Sequence, residues 1–534
     1  MPFPGTRPES FSLDRFDGIN TQATRMGIED QQCSWLENML PIGPNNCRTI
    51  YDVGTTLYTA PGGKTIVAMF PFNVSSSQFI AFFLSDGTAQ QAAVPAGTVV
   101  NISAVAGTFY DGTALPACAQ IGSSGIVIVS QVVATNNTYW AWDSTTLFGP
   151  GSASPTWLNG GTPTTMPNGV RGTYVESYLS RVIIDNGNTK LISAPGNGAT
   201  FSGTVGGLTI TATDSFLRVG FTAAKQANGF LYNFGDSSIQ VISNIVSQGS
   251  PIVTTLNNQN VDPQVGTPWP ESVQVFGNAI IFANTSGVYE LRGGSAIKIS
   301  DELDGIFGSA VFSQTLLSRP KAAVATIFGI RCYMLLISLL DPFTLQQRFA
   351  MCMWSGKKWF IGSQTISLTT IATQEINSIL TAWGTNGTIA APMFTTASGS
   401  LPKIIQSKLW QGSGRFITLK QVLRAYTLIQ NNTAVAFTGT LTVDTVGDQG
   451  NGATVLNLTS VSTLIFVNDL GQVINFVNGS SQLLIFINNP PGIFGEDAQG
   501  CYGGLIGITV NASAPDFTAV ALLLEYQGYT PFGG

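Results

Sequence analysis

Arg181–Ser193 reads RVIIDNGNTKLIS: an aliphatic β-branched run, an Asp-Asn-Gly corner, and a second short run that alternates in polarity. Asn-Gly and Asp-Gly corners supply residues that accept positive φ, which tight hairpins need. The same signature closes FFLSDGTAQ at Asp86-Gly87 and VVATNNTYWAW at Asn136-Asn137. It closes FLYNFGDSSIQVIS at Gly235-Asp236, AIIFANTSGVYEL at Ser286-Gly287, and LTAWGTNGTIA at Asn386-Gly387. A further hairpin, RCYMLLISLLDPFTLQQRFAMCMW, turns at Asp341-Pro342. Six of these seven corners follow a step of about fifty residues, the size of one four-stranded propeller blade.

A single blade cannot bury both of its faces, and ring closure supplies a neighbour on each side. The reading is therefore an all-β chain whose residues 51–401 form a β-propeller of about six to seven blades. The competing reading is a string of ordinary hairpins in two β-sandwiches. The step is lost after TTASGSLPK. RFITLKQVLRAYTLI then predicts a long strand, with Ile417, Leu419, Leu423, Ala425 and Ile429 on one face and Lys420 and Arg424 on the other. IFVND, NFVNG and IFINN set Phe466, Phe476 and Phe486 ten residues apart, as in a meander of short strands. Residues 402–534 thus read as a separate β-sandwich-like domain. Residues 1–50 form an N-terminal arm, in which IEDQQCSWLENML predicts a short helix of about three turns with Glu29 and Asp30 near its start.

Composition narrows the function. Of 534 residues, 44% are hydrophobic and only 10% charged, against roughly 25% charged in ordinary soluble domains. A surface so poor in charge is weakly protected against association, which suits a subunit packed in an assembly. The net charge of −6 is spread thinly with no Lys/Arg run, so sequence-specific or phosphate-neutralising nucleic-acid binding is not expected. A channel that passes DNA without gripping it remains compatible. GIRCYMLLISLL is too short for a membrane span, and MPFPGTRPES lacks the charged and apolar regions of a signal peptide. The six cysteines show no metal-like spacing and are expected as free thiols.

The chain contains no histidine. Ser-His-Asp, Cys-His and HExxH chemistry are excluded on that ground. APGGKTIV resembles a phosphate loop only briefly, since Tyr58 stands where Walker A requires glycine; it reads as a turn. Carboxylates cluster in SDELDG (Asp301, Glu302, Asp304) and VDTVGDQGNG (Asp444, Asp448), without EF-hand spacing, and are expected on solvated loops. The pairs Trp140/Trp142 and Trp354/Trp359 are expected in blade–blade interfaces rather than on a sugar-stacking platform. No catalytic residue, cofactor or metal is assigned.

The opening of the chain carries a resemblance. FDGINTQATRMGIEDQQCSWLENMLP followed by CRTI contains Gly18-Ile19-Asn20, then Leu36-Glu37-Asn38-Met39-Leu40-Pro41, then Arg48. It resembles the start of the tail nozzle proteins of short-tailed bacteriophages, also called tail tubular protein B or packaged-DNA stabilisation proteins. VFGNAIIFANTSGVYELRGGSAIKIS and GIRCYMLLISLLDPFTLQQRFAMCMWSGKKWFIGS resemble two of that family's blades, the second ending in a Ser-Gly-x-x-Trp turn at Ser355–Trp359. Where the family often has a paired Arg-x-Arg, this chain has Asn45-Asn46-Cys47-Arg48-Thr49.

What the resemblance implies is a structural virion protein of a phage tail. Such a protein forms a homo-oligomer, a hexameric ring below the portal and adaptor proteins and near tail fibres, whose channel retains and then passes the genomic DNA. The acidic balance of the chain fits a channel wall that repels phosphate. In this reading Trp35, Leu36, Met39 and Leu40 pack either onto the propeller of their own chain or onto an adjacent subunit. The rival reading is a receptor-binding or glycan-cleaving tail protein.

Overall fold

The structure, a computed structural model, describes residues 8–131, 138–212, 220–312, 319–412, 419–433, 437–446, 454–460, 492–529 and four two-residue strands between 466 and 484. It is all-β: a seven-bladed propeller followed by a β-sandwich-like domain. The blades are four-stranded antiparallel meanders over residues 66–103, 117–148, 174–211, 223–262, 274–298, 321–362 and 370–392. The innermost strand of each blade touches that of the next, and the seventh touches the first, so the ring is closed. Blade 7 takes its outermost strand, Tyr58–Thr59, from before blade 1, with Thr59 opposite Ile389. This clasp holds the ring shut with main-chain bonds.

The recurring corner has a defined place. In blades 1, 3, 4, 5, 6 and 7 it joins the second strand to the third. The Asn136-Asn137 corner lies outside the described residues. At Gly87 the need for glycine is plain: φ is +83°, and a Cβ would lie 2.4 Å from the Tyr110 carbonyl oxygen. Between blades 1 and 2 the large rings are buried as expected, whereas Trp354, half-buried, packs on Trp359 within blade 6. Trp140 and Trp142 pack with Phe109 and Phe83 between blades 1 and 2, and the Trp142 indole donates to Gln91 Oε1 at 2.7 Å across that interface. One such ring buries roughly 200 Å², on the order of 4–5 kcal/mol before entropy is counted.

Blade 6 differs from the rest. Its four strands continue into a nine-stranded sheet through Cys33–Glu37, Lys403–Ser407, Leu505–Ala512, Phe437–Val446 and Thr454–Ser460. A six-stranded sheet built on Phe517–Tyr529 and Leu419–Asn431 faces the far half of this long sheet, with the Phe437 and Phe517 rings edge to face at 4.9 Å. One hydrophobic core runs through blade 6, the arm and the sandwich. The pieces Phe466–Val467 and Phe476–Val477 pair antiparallel with Val473–Ile474 and Leu483–Leu484. Phe486 lies outside the described residues.

Two expectations are corrected. The stretch IEDQQCSWLENML is not helical: turns over residues 25–31 lead into strands Cys33–Glu37, Met39–Ile42 and Asn46–Thr49. The reason is that Cys33–Glu37 is paired on both edges and buried on both faces, a tertiary setting that overrides local propensity. In the long strand Leu419–Asn431, a bulge between Val422 and Arg424 shifts the alternation. Lys420 and Val422 therefore face inward before the bulge, with Ala425 and Ile429 after it, while Leu419 and Leu423 lie on the other side, only half-buried. The buried Lys420 ammonium donates to the Gly504 carbonyl at 2.7 Å. Ile417 lies outside the described residues.

Candidate functional site: the interdomain seam

The arm motifs of the family resemblance and the Ser355–Trp359 turn meet in space. Gly18 has φ +97°, and a Cβ there would stand 2.8 Å from the carbonyl oxygen of Trp359, the last residue of the Ser355–Trp359 turn. Ile19 N–H donates to that same carbonyl at 2.9 Å, and Cys33 N–H donates to the Gly18 carbonyl at 2.8 Å. The opening Gly-Ile-Asn is thus seated on the outer edge of blade 6. Lys358, next to Trp359, reaches over the arm to the Phe16 and Gly43 carbonyls.

The Leu36–Pro41 stretch is a crossover between sheets. Glu37 pairs with Ile361 of blade 6 in parallel and with Ile404 of the sandwich in antiparallel. Asn38, at φ +56°, then turns the chain out of the long sheet and into the six-stranded one; asparagine tolerates that backbone better than most residues. Its amide donates to Ser363 Oγ at 2.8 Å and to the Pro402 carbonyl at 2.7 Å, while Ser363 N–H donates back to Oδ1 at 2.7 Å. Asn38 thereby ties the end of blade 6 to the start of the sandwich.

Buried charge reinforces the crossover. Glu37 is 1% exposed, which is tolerable only with partners. It accepts from the Trp35 indole at 2.9 Å, Arg348 at 2.6 Å and Ser363 Oγ at 2.9 Å. On the other side, Arg48 pairs with Asp516 of the sandwich at 2.7 Å and lies 4.0 Å over the Phe328 ring of blade 6. Burial pushes the Asp516 carboxyl up. Hydrogen bonds from Arg48, Asn432 and Tyr51 outweigh it and hold the group below the usual carboxylate range.

Trp35, Leu36, Met39 and Leu40 are between 0 and 3% exposed. All four lie in the core shared by blade 6 and the sandwich of their own chain.

A second feature lies on the propeller axis, a cavity of about 400 Å³. Blades 3 to 6 give it charged residues: Glu176, Lys225, Glu271, Arg319 and Lys321. Blades 7, 1 and 2 give it a mainly apolar wall that includes Phe70, Ala117, Ile371 and Ala372. Lys225 lies 3.4 Å from Glu176, whose charge raises the lysine's pKa, and Arg319 is paired with Glu271. Burial lowers the Lys321 pKa to about 8; its ammonium donates to Thr369 O at 3.1 Å and Thr370 Oγ1 at 2.8 Å. None of these five charges stands in a local motif. Glu176, Lys225, Glu271 and Arg319 recur at nearly the same step as the hairpin corners, and charge recurring at the blade step is the signal that finds them.

The carboxylates singled out in the sequence do not converge. Asp301 and Asp304 both reach Lys298, at 3.3 and 2.6 Å, while Glu302 turns toward Gln32 of the arm. Asp444 pairs with Arg25 at 2.5 Å, and Asp448 lies outside the described residues. Among the described residues, no group of three or more Cys, Asp or Glu is placed to hold a metal ion. All six cysteines are free thiols. Pro61–Lys64 is a turn, with Lys64 N–H bonded to the Pro61 carbonyl at 3.1 Å. Among the described residues, no helix is long and apolar enough to cross a membrane.

No protein-family model matches the chain, and no curated protein does. Among solved structures it is similar to BBS1N in complex with ARL6DN, at 8% identity over 65% of this chain and 98% of that one, TM-score 0.36. It is similar to BamB from Moraxella catarrhalis at 11% identity, 67% and 96% coverage, TM-score 0.32. The SapL1 lectin in complex with alpha methyl fucoside aligns at 12% identity, 62% and 90% coverage, TM-score 0.29. At such identities and scores the likeness carries no inference about activity.

Proposed function

We propose that this chain is a structural subunit of a bacteriophage tail, a nozzle protein that assembles into a ring around a channel for the genome, without catalytic turnover. The observation that carries the reading is the seam: Gly18-Ile19-Asn20, Leu36–Pro41, Arg48 and the Ser355–Trp359 turn, four of the stretches that resemble the nozzle family, serve one junction. A propeller and a sandwich joined by one continuous sheet resist bending at the joint, since flexing it would break a ladder of main-chain bonds. That suits a part that must withstand the pressure of a packaged genome. The low charge of the chain and the seam's demand on the arm add support; a subunit that buries its exterior in a ring has little use for charged solvation.

Mass photometry of the purified full chain tests the reading, with negative-stain class averages of the same sample. The expected outcome is a ring with a central hole and a mass about six times the 56.3 kDa of one chain. A monodisperse monomer at all concentrations, or release of reducing ends from host surface polysaccharide, overturns it.

A further inference from the structure

We propose that two uncharged apolar patches, one at the outer edge of blade 1 and one at the ends of blades 3 and 4, pack against each other between successive copies of this chain, a contact that rests on the ring reading and supplies its joint.

The meander gathers the larger patch. In a four-stranded blade the first-to-second and third-to-fourth corners lie at the end opposite the Asp-Gly corners. At that end blades 3 and 4 expose Leu179, Val205, Phe230, Val246, Ile252 and Val253, each between 37 and 57%. Hydrogen bonds among their chain neighbours hold them together. Tyr178 Oη donates to the Gly229 carbonyl at 3.0 Å. Arg181 donates to the Gly206 carbonyl at 2.8 Å and to Ser247 Oγ at 2.7 Å, and Thr254 Oγ1 donates to the same carbonyl at 3.0 Å. The six side chains offer on the order of 400 Å² of apolar surface, as much as the largest patch on an ordinary monomer. That is about half of the roughly 800 Å² that one partner of a stable interface buries.

The smaller patch is the start of the outer strand of blade 1, where Val99 and Val100 are exposed at the same end of the blade. Charge is withheld from both surfaces. Residues 87–108, 191–211 and 237–261 contain no Asp, Glu, Lys or Arg, whereas the rim of blade 5 carries Glu290, Arg292 and Lys298. Open edges are ordinarily guarded by charge or proline. Val99–Ser103 and Val253–Asp262 each end their sheet, and the only such residue in either is Asp262 at the far end. A charged partner finds nothing to pair with here, and a second copy brings the matching uncharged surface. The patches stand two to three blade steps apart, so each copy offers them to different neighbours. Such a head-to-tail contact generates a ring when its rotation closes.

Two double variants of the full chain, Val99→Asp with Val100→Asp and Phe230→Asp with Val253→Asp, test this by size-exclusion chromatography with light scattering. Thermal unfolding checks each fold, and Val100→Lys and Val253→Lys stand in for a double variant that does not fold. Each double variant alone is expected to be monomeric. Their equimolar mixture is expected to form a heterodimer, because one intact pairing survives between them. Ile297→Asp, on the charged rim of blade 5, should keep the wild-type mass. If the wild type forms a ring and the folded double variants form it too, the proposal is overturned and the ring reading stands. Homodimers of either double variant, a mixture that stays monomeric, or loss of the ring in Ile297→Asp overturn the proposal in the same way. A monomeric wild type ends both.

Discussion

Blade 1 and blade 6 are built on the same four-stranded plan and end differently. The outer strand of blade 1, Val99–Ser103, leaves Val99 and Val100 46% and 40% exposed. The outer strand of blade 6, Trp359–Gly362, is buried throughout, because the arm strand Cys33–Glu37 lies along it and the sandwich continues beyond. An open edge is an invitation to pair. In blade 6 that tendency is used inside the chain, and it turns a ring plus an appendage into one body. The seam, rather than the repeat, is where this propeller is individual.

The strongest way to break the difference is Gly18→Val. Its φ of +97° excludes a β-branched residue, and the backbone oxygen of Trp359 occupies the space a Cβ needs. We expect a loss of more than about 3 kcal/mol, read as a lower denaturant midpoint, with proteolysis releasing the sandwich from the propeller. Leu36→Ala comes next: the side chain is fully buried, so a loss of about 2–5 kcal/mol is expected. The matching change at the open edge, Val99→Ala, should stay within about 0.5 kcal/mol. Equal losses at Leu36 and Val99 would mean that the two edges are not distinct. Asp516→Ala should cost about 2 kcal/mol by stranding Arg48, Tyr51 and Asn432, measured by chemical denaturation.

The part of the fold that sequence reveals is the part set by local chemistry. Asp86-Gly87 and its counterparts mark each second-to-third-strand corner because a tight hairpin selects its own residues. The seam is different: Glu37 finds Ile361 more than three hundred residues later, and no local pattern encodes that pairing. The same non-local setting explains the misread arm. Trp35, Leu36, Met39 and Leu40 fall at spacings that suit one face of a helix, but a strand buried on both faces produces an equally apolar run. In Leu419–Asn431 a single bulge sufficed to exchange Leu423 for Val422 in the core. The axial charges were readable in principle, since Glu176, Lys225, Glu271 and Arg319 follow the blade step, but only once the blades themselves had been aligned.

The smallest expected effect is also the one that depends on pH. Glu302 sits where the arm crosses the blade 5–6 connection: its carbonyl accepts from Thr21 N–H at 2.6 Å and its carboxyl lies 3.5 Å from the Gln32 amide. Burial, with the negative charges of Asp17, Glu29 and Asp301, pushes its pKa from 4.5 up to about 7. The folded seam therefore holds a proton that the unfolded chain has released, and folding binds protons between these two values. Stability is then greatest below about pH 4.5 as far as this group is concerned, falls as pH rises toward 7, and levels off above it. Glu302→Gln keeps the shape and removes the charge. It should stabilise the chain on the order of 1 kcal/mol at pH 8, a value discounted for the group's partial exposure, and the gain should vanish near pH 4.5. Denaturation at both pH values checks this, with Glu375→Gln, exposed near the end of the innermost strand of blade 7, as the control. A pH-independent gain would assign the effect to packing, and no gain would mean that the arm does not press Glu302 into the seam at all.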